Sequence, residues 1–502
     1  MKDELERLQA YLKWIPRFMH PWLEQKIRNV PGFREKIQQE DEKLRDILEK
    51  SLKPYDQLFE RHQRLPRVGV PKDQVLKEIQ EMSERESPRW QEGFVSGAIY
   101  HGGQEHIEFL NRVYALESQS NPLHSDLFPS ITKFEAEIVS MIAGFLGSEA
   151  APGVCGTVTS GGTESILLAM KTYRDRARRL RSIKKPEIVL APTAHAAFDK
   201  AADYFGIRLI RVPLDSGYRM DVNLVEKAIG KNTIALVGSA PAFPHGVLDP
   251  IPELSEIASR KNVPLHVDAC LGGFVIPFAE RLGHRVPVVD FRNQGVTSIS
   301  VDTHKYGYAA KGTSVLLYRN DELRREQFFT ATDWPGGLYF SPTLAGSRPG
   351  ALSAMCWAAM LSMGESGYLE AARSILDAAH RIKDGISAIP GLRVLGDPLF
   401  VIAFAGEGIN IFEVMDEMNH RNWSLNGLHR PDCLHLAVTL RHAESAVVER
   451  FLSDLRDSVE AVRKSPGRSG GMAPVYGMAS QIAFRGMVSD LLKKVLEVLY
   501  RP

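Results

Sequence analysis

From about residue 115 to about residue 350, short β-branched apolar runs alternate with segments whose apolar residues recur at helical spacing. This alternation is the strongest constraint on what the 502-residue chain can fold into. Strands joined by helix-length connections pair in parallel, and a mostly parallel sheet must be covered on both faces. Strands are expected at 188–191, 209–212, 234–238, 265–267, 298–301 and 313–318. Ligands in such sheets collect beyond the C-terminal ends of the strands. The chain therefore has a place for a site before any motif is read.

The flanking regions differ in texture. Residues 1–114 are rich in long charged side chains, with Leu5, Leu8, Leu12 and Ile15 at helical intervals, and read as a helical N-terminal segment. Trp14, Phe18 and Trp22 lie there among lysines and arginines. Packing against a partner subunit is the favoured use of such a face, and transient contact with a membrane surface is the other reading. The central region, 115–350, is the large domain. Residues 351–502 carry helical patterns broken by short strands near 392–395, 400–404 and 434–440, which suits a small α+β domain. A Ser/Pro/Gly run at 465–471 reads as a loop.

Composition excludes several classes of function. The 62 basic and 61 acidic side chains nearly cancel, which argues against a nucleic-acid partner. Cys155, Cys270, Cys356 and Cys433 form no CxxC pair, so neither a disulfide framework nor a zinc site is expected and no metal is assigned. No apolar run approaches membrane-spanning length, and the N-terminus lacks the basic-then-apolar order of a signal peptide. A soluble cytoplasmic protein is expected, with secretion into another cell left open.

Two strand ends carry the chemistry. Ser300-Val301-Asp302-Thr303-His304-Lys305 ends a strand and opens a turn, which delivers a lysine suited to anchoring an aldehyde as an imine. Leu265-His266-Val267-Asp268 ends a second strand in a carboxylate. An anchoring lysine together with an aspartate that keeps a pyridine nitrogen protonated is the arrangement pyridoxal phosphate requires, because the ring can then accept electrons from a breaking bond. Upstream, Thr159-Ser160-Gly161-Gly162-Thr163-Glu164-Ser165 precedes a helix. Its glycines let backbone N–H groups approach an anion, and the positive end of the helix points at it. His195 also follows a strand and is placed to stack on a pyridine ring, although a loop histidine bonded to backbone is as common. Cys270, two residues past Asp268, falls near the same place, and small-residue packing explains it as well as reactivity does.

These segments, with 237–241 and 266–273, resemble the group II pyridoxal phosphate decarboxylases. More closely they resemble the sphingosine-1-phosphate lyase family. That closer likeness rests on Ser96-Gly97-Ala98-Ile99-Tyr100-His101-Gly102, Asn121-Pro122-Leu123-His124, Phe243-Pro244-His245-Gly246, residues 337–350 and Val475-Tyr476-Gly477-Met478-Ala479. The resemblance runs from roughly residue 60 to the end of the sequence. It implies a fold type I, aspartate aminotransferase-like large domain, pyridoxal 5'-phosphate as cofactor and a homodimer with shared active sites. The implied activity is retro-aldol cleavage of a phosphorylated sphingoid base to a long-chain aldehyde and phosphoethanolamine. Carried onto this chain, Lys305 is the anchor, Asp268 pairs with the ring nitrogen and His195 stacks on the ring. Gly162, Thr163 and His304 serve the cofactor phosphate, with Ser347 reaching it from the second subunit. Tyr100, Asn121, His124, Lys311, Arg348 and Tyr476 form the substrate end, with Tyr100, His124 and Lys311 taking part in catalysis.

Two departures stand out. Ala310 occupies the place of a proline expected before Lys311, which would loosen the turn that aims this lysine, and the membrane anchor of eukaryotic relatives is absent from this sequence. The alternative activity is amino acid decarboxylation with the same cofactor apparatus, for which the substrate end must orient a carboxylate. A non-enzymatic lipid-binding protein on a degenerate enzyme fold would be expected to lack Lys305 or Asp268, and both are present.

Overall fold

The computed structural model describes residues 52–467 and 485–501. Trp14, Phe18, Trp22 and Tyr476 lie outside the described residues, as does most of the 465–471 loop. No helix among the described residues is long and apolar enough to cross a membrane. The described residues fall into two compact units, 52–88 with 485–501, and 89–467. The second unit holds all the sheets.

Seven strands form the central sheet: β1 (Cys155–Thr159), β2 (Glu187–Leu190), β3 (Arg208–Arg211), β4 (Thr233–Ser239), β5 (Leu265–Asp268), β6 (Val296–Val301) and β7 (Ser314–Tyr318). Their order is β1-β7-β6-β5-β4-β2-β3. Pairing is parallel from β6 through β3, whereas β7 runs antiparallel to both β6 and β1. Every residue of β2, β4, β5 and β7 is buried. Burial on both faces is why these strands read as continuous apolar runs instead of alternating ones. Helix α1 (Gly162–Arg181) turns Ile166, Ala169, Met170 and Tyr173 inward, where they join Phe198 and Ala201 of α2 (Ala197–Phe205) in one core with Ile188, Leu190 and Leu316.

A two-stranded hairpin, β8 (Phe329–Ala331) with β9 (Tyr339–Ser341), leads towards α3 (Gly350–Ser387), whose helical backbone is interrupted at Gly364 with φ 56°. Four further strands, β10 (Leu392–Val394), β11 (Val401–Gly406), β12 (Asn426–Leu428) and β13 (Cys433–Ala437), form an antiparallel sheet in the order β10-β11-β13-β12. The sequence breaks expected at 114/115 and 350/351 both fall inside the 89–467 unit. Residues upstream of the first break are tied to the four-stranded sheet: Gly97 N–H donates to Ala437 O of β13 at 3.0 Å, and Ser96 N–H donates to Ser424 O, just before β12, at 2.9 Å. That stitching places Tyr100, three residues further on, within the same unit as the central sheet.

Candidate active site

Strands β5 and β6 are parallel neighbours in which Asp268 pairs with Ser300, so the carboxylate and the turn carrying Lys305 emerge at the same edge. The edge opens into a cavity of about 350 Å³, whose lining includes Gly162, Thr163, His195, Asp268, His304 and Lys305. The sequence-derived cofactor residues of the single chain thus come together, with Ser347 the exception.

Asp268 is 8% exposed and buttressed from below. Its Oδ1 accepts the Cys270 N–H at 3.1 Å and the Ser300 hydroxyl at 3.2 Å. Ser300 also lies 3.3 Å from His266 Nε2; His266 Nδ1 is 2.7 Å from Ser298 Oγ, which lies 2.6 Å from the Tyr173 hydroxyl. Burial lowers the His266 pKa to about 4, so this relay contains a neutral imidazole. Burial also pushes the Asp268 carboxyl upward, but His195, the Cys270 hydrogen bond, His266 and Lys305 together outweigh it and hold the group below its ordinary value. Asp268 is therefore an anion, as a partner for a protonated ring nitrogen must be.

The cradle is built from the first turn of α1. Gly161, at φ 158°, is extended and leads into Gly162 at the helix start. Gly162 has no room for a side chain, because a Cβ there would stand 2.7 Å from Asp302 Oδ1 and 2.8 Å from Cys270 Sγ. Glu164 is 6% exposed and accepts the Ser160 N–H at 2.6 Å and the Leu344 N–H at 2.7 Å. The N-terminal end of a helix, a glycine-lined approach, a half-buried lysine and a buried anionic carboxylate fit pyridoxal phosphate.

Lys305 Nζ lies 2.8 Å from Asp302 Oδ2. Burial lowers its basicity, but Asp302, Cys270 and Tyr100 together outweigh this and lift the ammonium above the usual lysine range. Lys305 and His304 also line a second cavity of about 270 Å³, shared with Tyr100, Lys311, Ile99, Leu110 and Met355. Lys311 Nζ sits 4.6 Å from the centre of the Tyr100 ring. Burial, with Lys305 nearby, lowers the Lys311 pKa to about 8. The turn that aims Lys311 is held despite Ala310: Tyr308 N–H donates to Lys305 O, Ala309 N–H donates to Thr303 O, and the Thr313 hydroxyl donates to Ala310 O.

Asn121, His124 and Arg348, assigned to the substrate end, and Ser347, assigned to the cofactor phosphate, line neither cavity. Asn121 Oδ1 accepts the backbone N–H groups of Leu123 at 3.1 Å and Arg348 at 3.2 Å. The Arg348 guanidinium is committed to Glu135 through contacts of 2.8 and 3.0 Å. His124 and Ser347 are exposed. The sequence reading gave no role to Asp302, Glu164 or His266. The signal available for Asp302 was an acidic residue at the end of a strand whose other residues are apolar or small, a place where a carboxylate is seldom left unpaired.

A lysine and a carboxylate at adjacent ends of a mostly parallel sheet, above a cradle at a helix start, define a fold type I pyridoxal phosphate-dependent enzyme. The pyridoxal-dependent decarboxylase conserved domain matches residues 60–396. A sphingosine-1-phosphate lyase of Oryza sativa is 50% identical over 86% of this chain and 81% of its own length. The structure of a sphingosine-1-phosphate lyase from Burkholderia pseudomallei superposes with a TM-score of 0.81 at 43% identity, covering 88% of this chain and 99% of that one. A Lactobacillus brevis glutamate decarboxylase, 20% identical with a TM-score of 0.70 over 81% of this chain and 96% of its own, shares the fold. This chain belongs to the pyridoxal-dependent decarboxylase family and, within it, to the sphingosine-1-phosphate lyases.

Proposed function

We propose that this chain cleaves the bond between the amine-bearing and hydroxyl-bearing carbons of a phosphorylated sphingoid base, releasing a long-chain aldehyde and phosphoethanolamine. Pyridoxal phosphate, when bound, supplies an electron sink beside the amine-bearing carbon. Lys305 is its anchor, Gly162, Thr163 and His304 hold its phosphate, Asp268 keeps a proton on the ring nitrogen, and His195 packs against the ring face. The observation that carries this reading is the position of Lys305 between two cavities. One suits the cofactor, and the other offers an amine and a phenol beside apolar walls. Lys311 binds the substrate phosphate there, and Tyr100 donates to it or moves a proton.

His124, Asn121 and Ser347 complete the site from a second copy of the chain. Supporting this, the β8–β9 hairpin and the loops beside it leave Trp334 55%, Leu338 78%, Phe340 72% and Leu344 58% exposed, an apolar surface that a partner would cover. A cytoplasmic location belongs to the same reading. The test is product analysis after incubation with sphingosine 1-phosphate and, separately, with free amino acids. Aldehyde and phosphoethanolamine in equal amounts support the lyase. Carbon dioxide and an amine from an amino acid, with the lipid intact, would replace it with decarboxylation.

A further inference from the structure

Asp302 is a buried carboxyl group at the centre of the site, and the reading above gives it no task. Its side chain is 3% exposed, a position in which an unpaired carboxylate is strongly disfavoured. Its Oδ2 is 2.8 Å from Lys305 Nζ and 3.9 Å from His304 Nε2. Its Oδ1 has no hydrogen-bond partner, and a Cβ on Gly162 would come within 2.7 Å of it, so this oxygen abuts the first residue of α1. One carboxylate therefore touches the anchor on one side and the cradle on the other.

The groups facing Lys305 are Asp302 and His304 from its own segment, Asp268 and Cys270 from the end of β5, Tyr100 from the N-terminal side, and Lys311. Burial raises the Cys270 thiol and the Tyr100 phenol, so both are neutral near pH 7. Asp268 is engaged by Ser300 and the Cys270 N–H, and His304 Nδ1 pairs with Thr313 O. Lys311 has the same charge as Lys305. Of these six, Asp302 is the group at hydrogen-bonding distance from Nζ.

We propose that Asp302 positions Lys305 and keeps it protonated. While the lysine is free, Asp302 fixes Nζ between the two cavities as an ammonium. This inference rests on Lys305 being the cofactor anchor.

The test uses the full-length chain stripped of cofactor and reacted with an amine-directed acylating reagent from about pH 6 to about pH 11, a range that spans the ordinary lysine titration. Modification of Lys305 is read from its peptide by mass spectrometry, with exposed lysines as internal references. Asp302→Asn keeps the shape and removes the charge. Lys305 of the unaltered chain is expected to react only at higher pH than the exposed lysines. In Asp302→Asn the curve is expected to move towards acid by at least about one unit, so that reactivity near pH 8 rises about tenfold or more.

Coincident curves for the two proteins would overturn the proposal. Should Asp302→Asn fail to fold, the unaltered chain still decides, since Lys305 titrating at or below the exposed lysines would overturn it equally. Borohydride reduction of the reconstituted protein, followed by peptide mapping, separates the two layers. Cofactor found on another lysine removes the anchor role, while the acylation curves still report on the pair.

Discussion

Glu164 Oε1 accepts the backbone N–H of Leu344 at 2.7 Å, joining the first turn of α1 to a loop 180 residues later in the chain. Its other oxygen accepts the Ser160 N–H at 2.6 Å. A single buried carboxylate thus sets the distance between the cradle and the segment that carries Ser347 and Arg348.

Replacing Glu164 with alanine strands two backbone donors, at a cost of about 1–3 kcal/mol for each that stays dry. Glu164→Ala is expected to lower the melting temperature and weaken pyridoxal phosphate binding about tenfold, whereas Glu164→Gln, which keeps one acceptor, should fall between. Thermal melting and titration of the bound-cofactor absorbance check this. Unchanged binding in the alanine variant would show that the tie does not shape the cradle.

Gly162→Ala adds one methyl group where Asp302 Oδ1 stands 2.7 Å away and Cys270 Sγ 2.8 Å away. Neither neighbour is the free end of a long side chain, so the first turn of α1 must move, with a strain of about 1–3 kcal/mol. Loss of cofactor retention on gel filtration, with the far-ultraviolet spectrum preserved, is the expected result. Full retention would mean that the helix start adjusts without opening the cradle.

Lys311 is a cation below its pKa of about 8 and neutral above it. A phosphomonoester is already dianionic above about pH 6, so its capture should weaken as Lys311 loses its proton. The expected profile of kcat/KM therefore falls as pH rises through about 8. Lys311→Met should remove that alkaline limb and raise KM more than it lowers kcat. Survival of the limb in the methionine variant would assign it to another group.

Arg348 and Glu135 are 11% and 19% exposed in their side chains and form a two-pronged pair. Removing one partner leaves the other charge poorly solvated, at a cost of about 3 kcal/mol or more. Arg348→Met and Glu135→Gln should each depress the melting temperature, and the double variant should lose less than the sum of the two. Additive losses in that cycle would show that the pair is not coupled, leaving Arg348 free for the substrate end.

Much of the central sheet was legible because its signals are local. The expected strand at 265–267 appears as β5 (Leu265–Asp268), and that at 298–301 as the last four residues of β6 (Val296–Val301), since β-branched runs buried on both faces need no distant partner to be recognised. Other elements were not seen. The strand β1 (Cys155–Thr159) has a glycine at Gly156, where a Cβ would collide with Leu316 O at 2.7 Å, so its sequence looks weak as a strand until β7 is beside it. The β8–β9 hairpin spans only three residues on each side and was also missed. Nothing near Arg348 in the sequence revealed its pairing with Glu135, from which 213 positions separate it.

The sequence by itself determined that a lysine and an aspartate would stand at the C-terminal ends of strands in a mostly parallel sheet, with a glycine-rich turn before a helix to meet an anion. Each of those statements depends on residues within one strand, turn or helix start. Tertiary structure alone decided that β7 runs antiparallel at the sheet edge, that Asp302 holds Lys305 while Glu135 claims Arg348, and that Lys305 lies between two cavities. Those outcomes depend on strand order, register and the meeting of distant loops. Local periodicity carries no record of them, because which side chains become neighbours is set only when the sheet closes its pairings.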